Sequence, residues 1–175
     1  MPKDDKLSKA FVISSIIAFA LLYFIDRITK VLVSIKLKDN EPVKLFNDYF
    51  ELFYLENKGA AWGILNGKVW LLIVFTALVI CILIFFYMRI PSSSRYNLLK
   101  ISSLLIISGA VGNLYDRIRY NYVVDFLYVK IIDFPVFNIA DCYVTVGAIL
   151  LVICLLFVYK DSELGFWFLN NKSEE

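Results

Sequence analysis

The sequence predicts an integral membrane protein of mainly α-helical fold, with four transmembrane helices and a small extracytoplasmic β-sheet between the first two. Of its 175 residues, 60% are hydrophobic and only 19% are charged, and the mean hydropathy is +0.71. A soluble domain of this length is far less apolar. With their flanks, four apolar windows reach the roughly 20 residues that a helix needs to cross a bilayer. Between the first two windows, a stretch rich in aromatic residues alternates between apolar and polar residues, which is typical of a β-strand.

The first span is expected to be longer than its apolar window. That window ends at Ile25, but apolar residues up to Ile35 keep a helical period, so the helix should continue through them, with Asp26 and Lys30 one turn apart. A cleaved signal peptide is the competing interpretation of the N-terminus. Since Asp26, Arg27 and Lys30 follow where a small-residue cleavage site would be needed, we interpret the segment as a permanent span. The four spans are expected at about residues 10–35, 68–88, 98–115 and 141–160.

The remaining elements follow from small and aromatic residues. The third span is rich in residues that let helices approach closely in lipid, namely Ser102, Ser103, Ser108, Gly109 and Gly112. The loop between spans one and two covers about residues 37–66, and within it Glu41–Tyr54 indicates two short strands joined at Asn47 and Asp48. Its Phe and Tyr side chains suit a membrane surface. The sequence shows no linkers or repeats, so residues 1–175 are expected to form a single domain.

Loop charges predict the orientation. The short connection Arg89–Lys100 carries three basic residues and no acidic one, and the N-terminal tail also contains Lys, so both are expected in the cytoplasm. Four spans then return the C-terminus to the same side. The five Lys residues of the first outer loop oppose this assignment, although five acidic residues balance them.

In this topology the concentrated polar motifs all lie on the outer side of the membrane. They are DRITK (Asp26–Lys30), NKGAAWG (Asn57–Gly63), GNLYDR (Gly112–Arg117), VVDF (Val123–Phe126) and FNIAD (Phe137–Asp141). Asp125 and Asp141 lie at the edges of apolar segments. A carboxylate there is costly unless it is paired with a cation or reached by water, so both residues are functional candidates. Two close carboxyl groups cannot both ionise easily and therefore share a proton. One can then act as base and the other as acid, as in aspartyl proteases.

Three other interpretations of these carboxylates stay open. They could simply satisfy Arg117, Lys30 or helix N-termini, with Asp141 as a capping residue of the fourth span. They could form an ion or proton relay of a small transporter or channel subunit, although a path across the membrane would also need polar residues in mid-span. A structural assembly factor would make no use of the paired Asp motifs.

Composition excludes other chemistries. The net charge of +2, from 18 basic and 16 acidic residues, is too small to indicate nucleic-acid binding. The chain has no histidine, which removes the commonest general base and metal ligand. Its three cysteines show neither CxxC spacing nor a framework of pairs. We therefore expect no metal and no cofactor.

Taken together and in order, the five motifs resemble those of the bacterial lipoprotein signal peptidases, also called signal peptidase II, over nearly the whole chain. The resemblance implies a metal-independent aspartyl endopeptidase of the bacterial cytoplasmic membrane, with its active site at the extracytoplasmic face. Its substrates would be diacylglyceryl-modified prolipoproteins, cleaved just before the lipidated cysteine. Membrane lipids would be further partners, and a globomycin-like peptide antibiotic would inhibit it.

Carried over position by position, the resemblance assigns the catalytic pair to Asp125 and Asp141. It implies substrate contacts or support for the remaining motif residues, which are Asp26, Lys30, Asn57, Gly59, Asn113, Asp116, Arg117, Asn138 and Ala140. A simple helix-end ion pair is an alternative interpretation of Asp116 beside Arg117.

Two further motif positions have a local explanation. Trp62, in a glycine-flanked loop that could act as a lid, either contacts substrate or anchors the loop at the interface. The family often has Gly in the turn before VVDF, where this chain has Asn121, a residue that also tolerates left-handed backbone.

Overall fold

The computed structural model describes residues 9–46, 49–60, 65 and 67–167. In chain order its main elements are helix α1 (Lys9–Leu37), strands β1 (Val43–Leu45) and β2 (Phe50–Asn57), helices α2 (Val69–Tyr87) and α3 (Asn97–Tyr120), strand β3 (Val123–Val129) and helix α4 (Ile139–Ile153). A π-helical turn, Cys154–Val158, continues α4. In these ranges four helices are long and apolar enough to cross a membrane. The predicted fold class is confirmed.

Helix α3 lies at the centre of the helical bundle. Of the residues in its apolar window 50% are buried, against 6–11% in the other three helices. Small residues allow α4 to pack closely on it: a Cβ atom at Gly147 would lie 2.8 Å from the Ser102 carbonyl oxygen, and the Ser102 hydroxyl donates a hydrogen bond of 3.0 Å to the Gly147 carbonyl. The Ser and Gly residues of the third span therefore serve helix packing, as predicted.

The sheet has three antiparallel strands in the order β1–β2–β3, one more than the sequence predicts. Strand β3 contains the VVDF motif and pairs with β2, with Leu55 opposite Asp125 and Asn57 opposite Val123. The second strand also runs beyond its expected end at Tyr54. Local alternation cannot reveal β3, because its partner lies far away in the chain. The turn expected at residues 47–48 and the side chain of Trp62 lie outside the described residues.

Helix α3 continues beyond the expected end of the third span. The GNLYDR motif therefore lies inside the helix, which ends at Tyr120. The following residue, Asn121, has φ 62° and ψ 19°, as its tolerance of the left-handed region predicts. This ending turns the chain directly into β3, so Asp125 comes back beside the polar part of α3.

Candidate active site

A continuous set of hydrogen bonds and ion pairs joins every site residue that the sequence predicts. Its members are Asp26, Lys30, Asn57, Gly59, Asn113, Asp116, Arg117, Asp125, Asn138, Ala140 and Asp141. They come from α1, α3, α4, β3 and the end of β2. The fold thus brings five different elements to one polar cluster.

Asp125 lies on β3 and is only 2% exposed. Its Oδ1 accepts a hydrogen bond of 2.6 Å from Asn138 Nδ2, and its Oδ2 accepts one of 2.8 Å from Asn57 Nδ2. Burial, followed by the nearby charge of Asp141, raises the pKa of Asp125 to about 7. The two donated bonds oppose this shift without cancelling it. Near neutral pH the Asp125 carboxyl therefore exists in both protonation states.

Asp141 lies in the first turn of α4, where Asn138 is the N-cap residue. The backbone N–H of Asp141 donates to Asn138 Oδ1 at 3.0 Å, and the backbone N–H of Asn138 donates to Asp141 Oδ2 at 3.0 Å, which forms a capping box. The other oxygen, Oδ1, accepts a bond of 2.7 Å from Asn113 Nδ2. Helix capping thus accounts for one carboxyl oxygen of Asp141 and leaves the other in the polar cluster.

Two amide side chains bridge Asp125 and Asp141. Asn138, which is fully buried, contacts both carboxyl groups and also donates from Nδ2 to Asn113 Oδ1 at 3.1 Å. The Asn113 oxygen accepts a second bond, of 2.9 Å, from Lys30 Nζ. Because an ammonium can only donate, Asn113 must direct its oxygen toward Lys30 and its NH₂ group toward Asp141.

Beneath these amides lies a group of four charges, three of them buried and one, on Arg27, partly exposed. Lys30 Nζ is 2.9 Å from a carboxylate oxygen of Asp26 and 2.9 Å from one of Asp116, and Arg27 also pairs with Asp116. Two cations thus balance two carboxylates, as charges withdrawn from water require. Asp26 Oδ1 in addition accepts a bond of 3.1 Å from the backbone N–H of Ala140, which ties α1 to the start of α4.

Asp116 and Arg117 do not pair with each other as a helix-end ion pair. Consecutive helical residues point in different directions, and Asp116 turns toward α1 while Arg117 turns toward the loop after β2. Arg117 Nη2 donates to the Gly59 carbonyl at 3.2 Å, and the Gly59 N–H donates to Asn57 Oδ1 at 2.9 Å. Within the described ranges, the buried Nε of Arg117 has no hydrogen-bond partner.

Arg27 has a place in the cluster that the sequence analysis missed. It pairs with Asp116, and its guanidinium carbon lies 4.7 Å from the centre of the Tyr115 ring. The signal was present, because a charged residue inside a span is a functional candidate. Its DRITK neighbours Asp26 and Lys30 received roles through the resemblance, whereas Arg27 did not.

Comparisons with known proteins agree on one family. The family model described as Signal peptidase (SPase) II matches residues 17–157. The lipoprotein signal peptidase of Clostridium acetobutylicum is 42% identical over 151 residues, which cover 85% of this chain and 96% of the relative. That of Clostridium tetani is 45% identical over 144 residues, covering 81% and 91%. That of Streptococcus pyogenes serotype M5 is 38% identical over 150 residues, covering 86% and 95%.

Solved structures agree with these relatives. A bacterial membrane enzyme determined by the in meso method at 2.3 Å resolution matches with a TM-score of 0.74 and 33% identity, covering 83% of this chain and 89% of that one. A second such structure, at 1.9 Å, matches with a TM-score of 0.73 and 32% identity, covering 85% and 96%. The fold, the order of the polar motifs and the family match lead to the same conclusion: the chain belongs to the signal peptidase II family of bacterial membrane peptidases.

Proposed function

We propose that this protein is an aspartyl endopeptidase that removes the signal peptide from diacylglyceryl-modified prolipoproteins, cleaving just before the lipidated cysteine. The substrate class is supported by the relatives, which carry the name lipoprotein signal peptidase. The observation that carries the chemistry is the pair of carboxyl groups, Asp125 and Asp141, which Asn138 joins: its side-chain Nδ2 donates to Asp125 and its backbone N–H donates to Asp141.

In this mechanism the pair holds one proton. We assign this proton to Asp125, which donates it to the scissile carbonyl oxygen; burial and the charge of Asp141 raise the pKa of the Asp125 carboxyl to about 7. Asp141 is the base that takes a proton from the attacking water. Collapse of the tetrahedral intermediate returns the carbonyl proton to Asp125 and transfers the proton on Asp141 to the leaving amine. The pair ends the cycle in its starting state.

The amides and the arginine then have separate tasks. Asn113 and Asn138 use their side-chain atoms on the two carboxyl groups and on Lys30, so we assign them the orientation of the pair. Arg117 has a buried Nε with no partner in the described part of the chain, and it is the candidate donor to a substrate carbonyl. Asn57, at the end of β2, supports Asp125, and Gly59, just after this strand, supports Arg117.

The proposed function also requires that the protein has a defined orientation in the membrane. The basic residues Arg89, Arg95 and Lys100 lie at the ends of α2 and α3 that are remote from the carboxyl pair, which favours cytoplasmic termini and an active site at the extracytoplasmic face. The mechanism needs no metal ion. A globomycin-like peptide antibiotic that mimics the substrate is expected to compete at the same site.

Cleavage of a diacylglyceryl-modified prolipoprotein by purified protein in detergent, with a metal chelator present, tests the proposal. Asp125→Asn and Asp141→Asn should each lower kcat by about 1,000-fold or more, since neither amide can replace the group that exchanges a proton. Asp133→Asn is the matched control, because this exposed carboxylate lies just after β3 and outside the cluster. Full activity of either active-site variant, or no cleavage by folded native protein, would rule out the proposal.

A further inference from the structure

A cavity of about 210 Å³ lies outside the carboxyl pair, between the outer end of α1, the sheet and the end of α3. Cationic and aromatic side chains line it, chiefly Arg27, Lys38, Tyr54, Tyr120 and Tyr122. Neither Asp125 nor Asp141 belongs to its wall. Its volume is below the roughly 300–1,000 Å³ of pockets for drug-sized ligands, so it suits a small polar group.

The cavity opens at the level of lipid headgroups. Helix α1 has 29 residues and is therefore roughly 43 Å long, which exceeds a hydrocarbon core of about 30 Å. Because the charged residues Asp26, Arg27 and Lys30 lie in its later part, we place its last turns in the headgroup region. Val31 and Ile35 on the cavity wall are 46% and 73% exposed, so the opening has an apolar lip that faces lipid. The tyrosines suit the same interface.

Hydrogen-bond donors converge on the cavity. Arg27 uses one terminal nitrogen, Nη1, on Asp116, and a guanidinium has five N–H donors arranged in a fork that matches phosphate geometry. Lys38 Nζ stands at the opening on a side chain that is 49% exposed. The hydroxyl of Tyr54 donates to Glu56 Oε1 at 2.9 Å and lies 3.3 Å from the hydroxyl of Tyr122, which holds both rings in place.

Each cation that lines the cavity has a carboxylate partner. Arg27 and Lys30 are neutralised by the two buried carboxylates described above. Lys38 pairs with Glu56 at 3.2 Å; burial opposes ionisation of Glu56, but hydrogen bonds from Tyr54, Lys38 and Tyr122 hold its pKa below the ordinary value. The three cations on the cavity wall thus have three carboxylate partners, and an anionic ligand would bind through the N–H donors of Arg27 that these pairs leave unused.

We propose that this cavity binds the phosphodiester of an anionic phospholipid from the leaflet on the sheet side. The phosphate oxygens would accept hydrogen bonds from Arg27 and Lys38, with the Tyr120 hydroxyl as a further donor. The acyl chains would run along the exposed face of α1 below Ile35. Since Arg27 also pairs with Asp116, the bound headgroup would stabilise the fold through the buried charges.

Thermal unfolding of the full-length protein in detergent, titrated with phosphatidylglycerol or phosphatidylcholine, tests this proposal. Phosphatidylglycerol should raise the Tm at lower concentration than phosphatidylcholine, because a ligand stabilises the state that binds it. Lys38→Gln and Tyr120→Phe should each weaken the apparent affinity for phosphatidylglycerol, by about fivefold for the lost lysine. Lys36→Gln is the matched control, since it removes the same charge two residues away, outside the cavity wall.

Titrations with soluble phosphate compounds distinguish a lipid headgroup from a free phosphate as the ligand. Inorganic phosphate and glycerol 3-phosphate, at the concentrations at which the lipid acts, should leave the Tm unchanged, since neither can use the apolar lip. An equal shift from inorganic phosphate would overturn the lipid assignment in favour of a general anion site. Equal stabilisation by the two lipids, or equal losses in Lys38→Gln and Lys36→Gln, would overturn the site itself. Tyr120→Phe keeps its ring contacts, so it tests the cavity even if Lys38→Gln unfolds.

Discussion

Replacing Lys30 with Met should be among the most damaging single changes outside the carboxyl pair. Lys30 is 1% exposed, and its ammonium contacts carboxylate oxygens of Asp26 and Asp116 at 2.9 Å each, as well as Asn113 Oδ1 at 2.9 Å. Methionine has a similar length and no charge. The substitution therefore removes the interactions and leaves most of the volume filled.

The loss of stability in Lys30→Met depends on which partners the two carboxylates keep. Asp116 keeps Arg27, but Asp26 loses its only cationic partner among the described residues and stays buried as an unpaired carboxylate. Removing one member of a buried pair typically costs about 3–5 kcal/mol. For a chain of this size that corresponds to a decrease in Tm of roughly 6–20 °C. Cleavage should also fall in the folded fraction, because Asn113 loses the donor that fixes its amide.

A second substitution separates charge from packing. In the double variant Asp26→Asn with Lys30→Met, the cluster is again neutral, and the asparagine oxygen can still accept from the Ala140 N–H. The double variant should therefore be more stable than Lys30→Met alone. Thermal unfolding of the native protein, Asp26→Asn, Lys30→Met and the double variant, in one detergent and at one protein concentration, yields the coupling energy of the pair.

The reasoning fails on either of two results. A Lys30→Met protein as stable as the native chain would mean that Asp26 is hydrated or protonated and needs no cation. A double variant no more stable than Lys30→Met would mean that the loss comes from packing rather than from an unpaired charge.

Two further predictions concern the same cluster. Activity should decline as pH rises through about 7, because the raised pKa of Asp125 means that its carboxyl loses the catalytic proton there. Asn57→Ala should move this decline to higher pH, since the Asn57 hydrogen bond lowers the pKa of Asp125; a pH profile of kcat/KM measures both, and an unchanged profile would contradict the assignment. Gly112→Ala should destabilise the fold by about 1–3 kcal/mol, because its Cβ would lie 2.6 Å from Asp26 Oδ2. Gly165→Ala, which meets nothing within 4 Å, is the control in thermal unfolding.

The sequence predicts those parts of the fold that depend on neighbouring residues. Apolar windows and helical periodicity identify all four helices, including the continuation of α1 through Asp26 and Lys30. Strands β1 and β2 follow from their alternation. By contrast, β3 pairs with a strand far away in the chain. The length of α3 also escapes prediction, since Asp116 is tolerated inside the helix only because α1 supplies its cations.

In the candidate site, too, local motifs are predictable from the sequence, whereas contacts between distant segments are not. Motifs that carry the family resemblance identify every residue of the cluster except Arg27. They cannot tell which atom of an amide faces which carboxyl group, because the two ends of an asparagine side chain are interchangeable in a sequence. That Asp116 pairs with Lys30 and Arg27 rather than with Arg117 also depends on the relative rotation of α1 and α3, which no local pattern specifies.

These amide orientations explain why four charges lie beside a carboxyl pair that they do not contact. A flipped Asn113 would direct its NH₂ group at the Lys30 ammonium and its oxygen at Asp141, and both contacts would repel. Lys30 therefore selects the orientation in which Asn113 donates to Asp141. A buried ammonium is tolerable only between carboxylates, which Asp26 and Asp116 provide. These charges thus fix the orientation of the amide beside the proposed catalytic pair through a single acceptor atom, Asn113 Oδ1, which Lys30 holds in place.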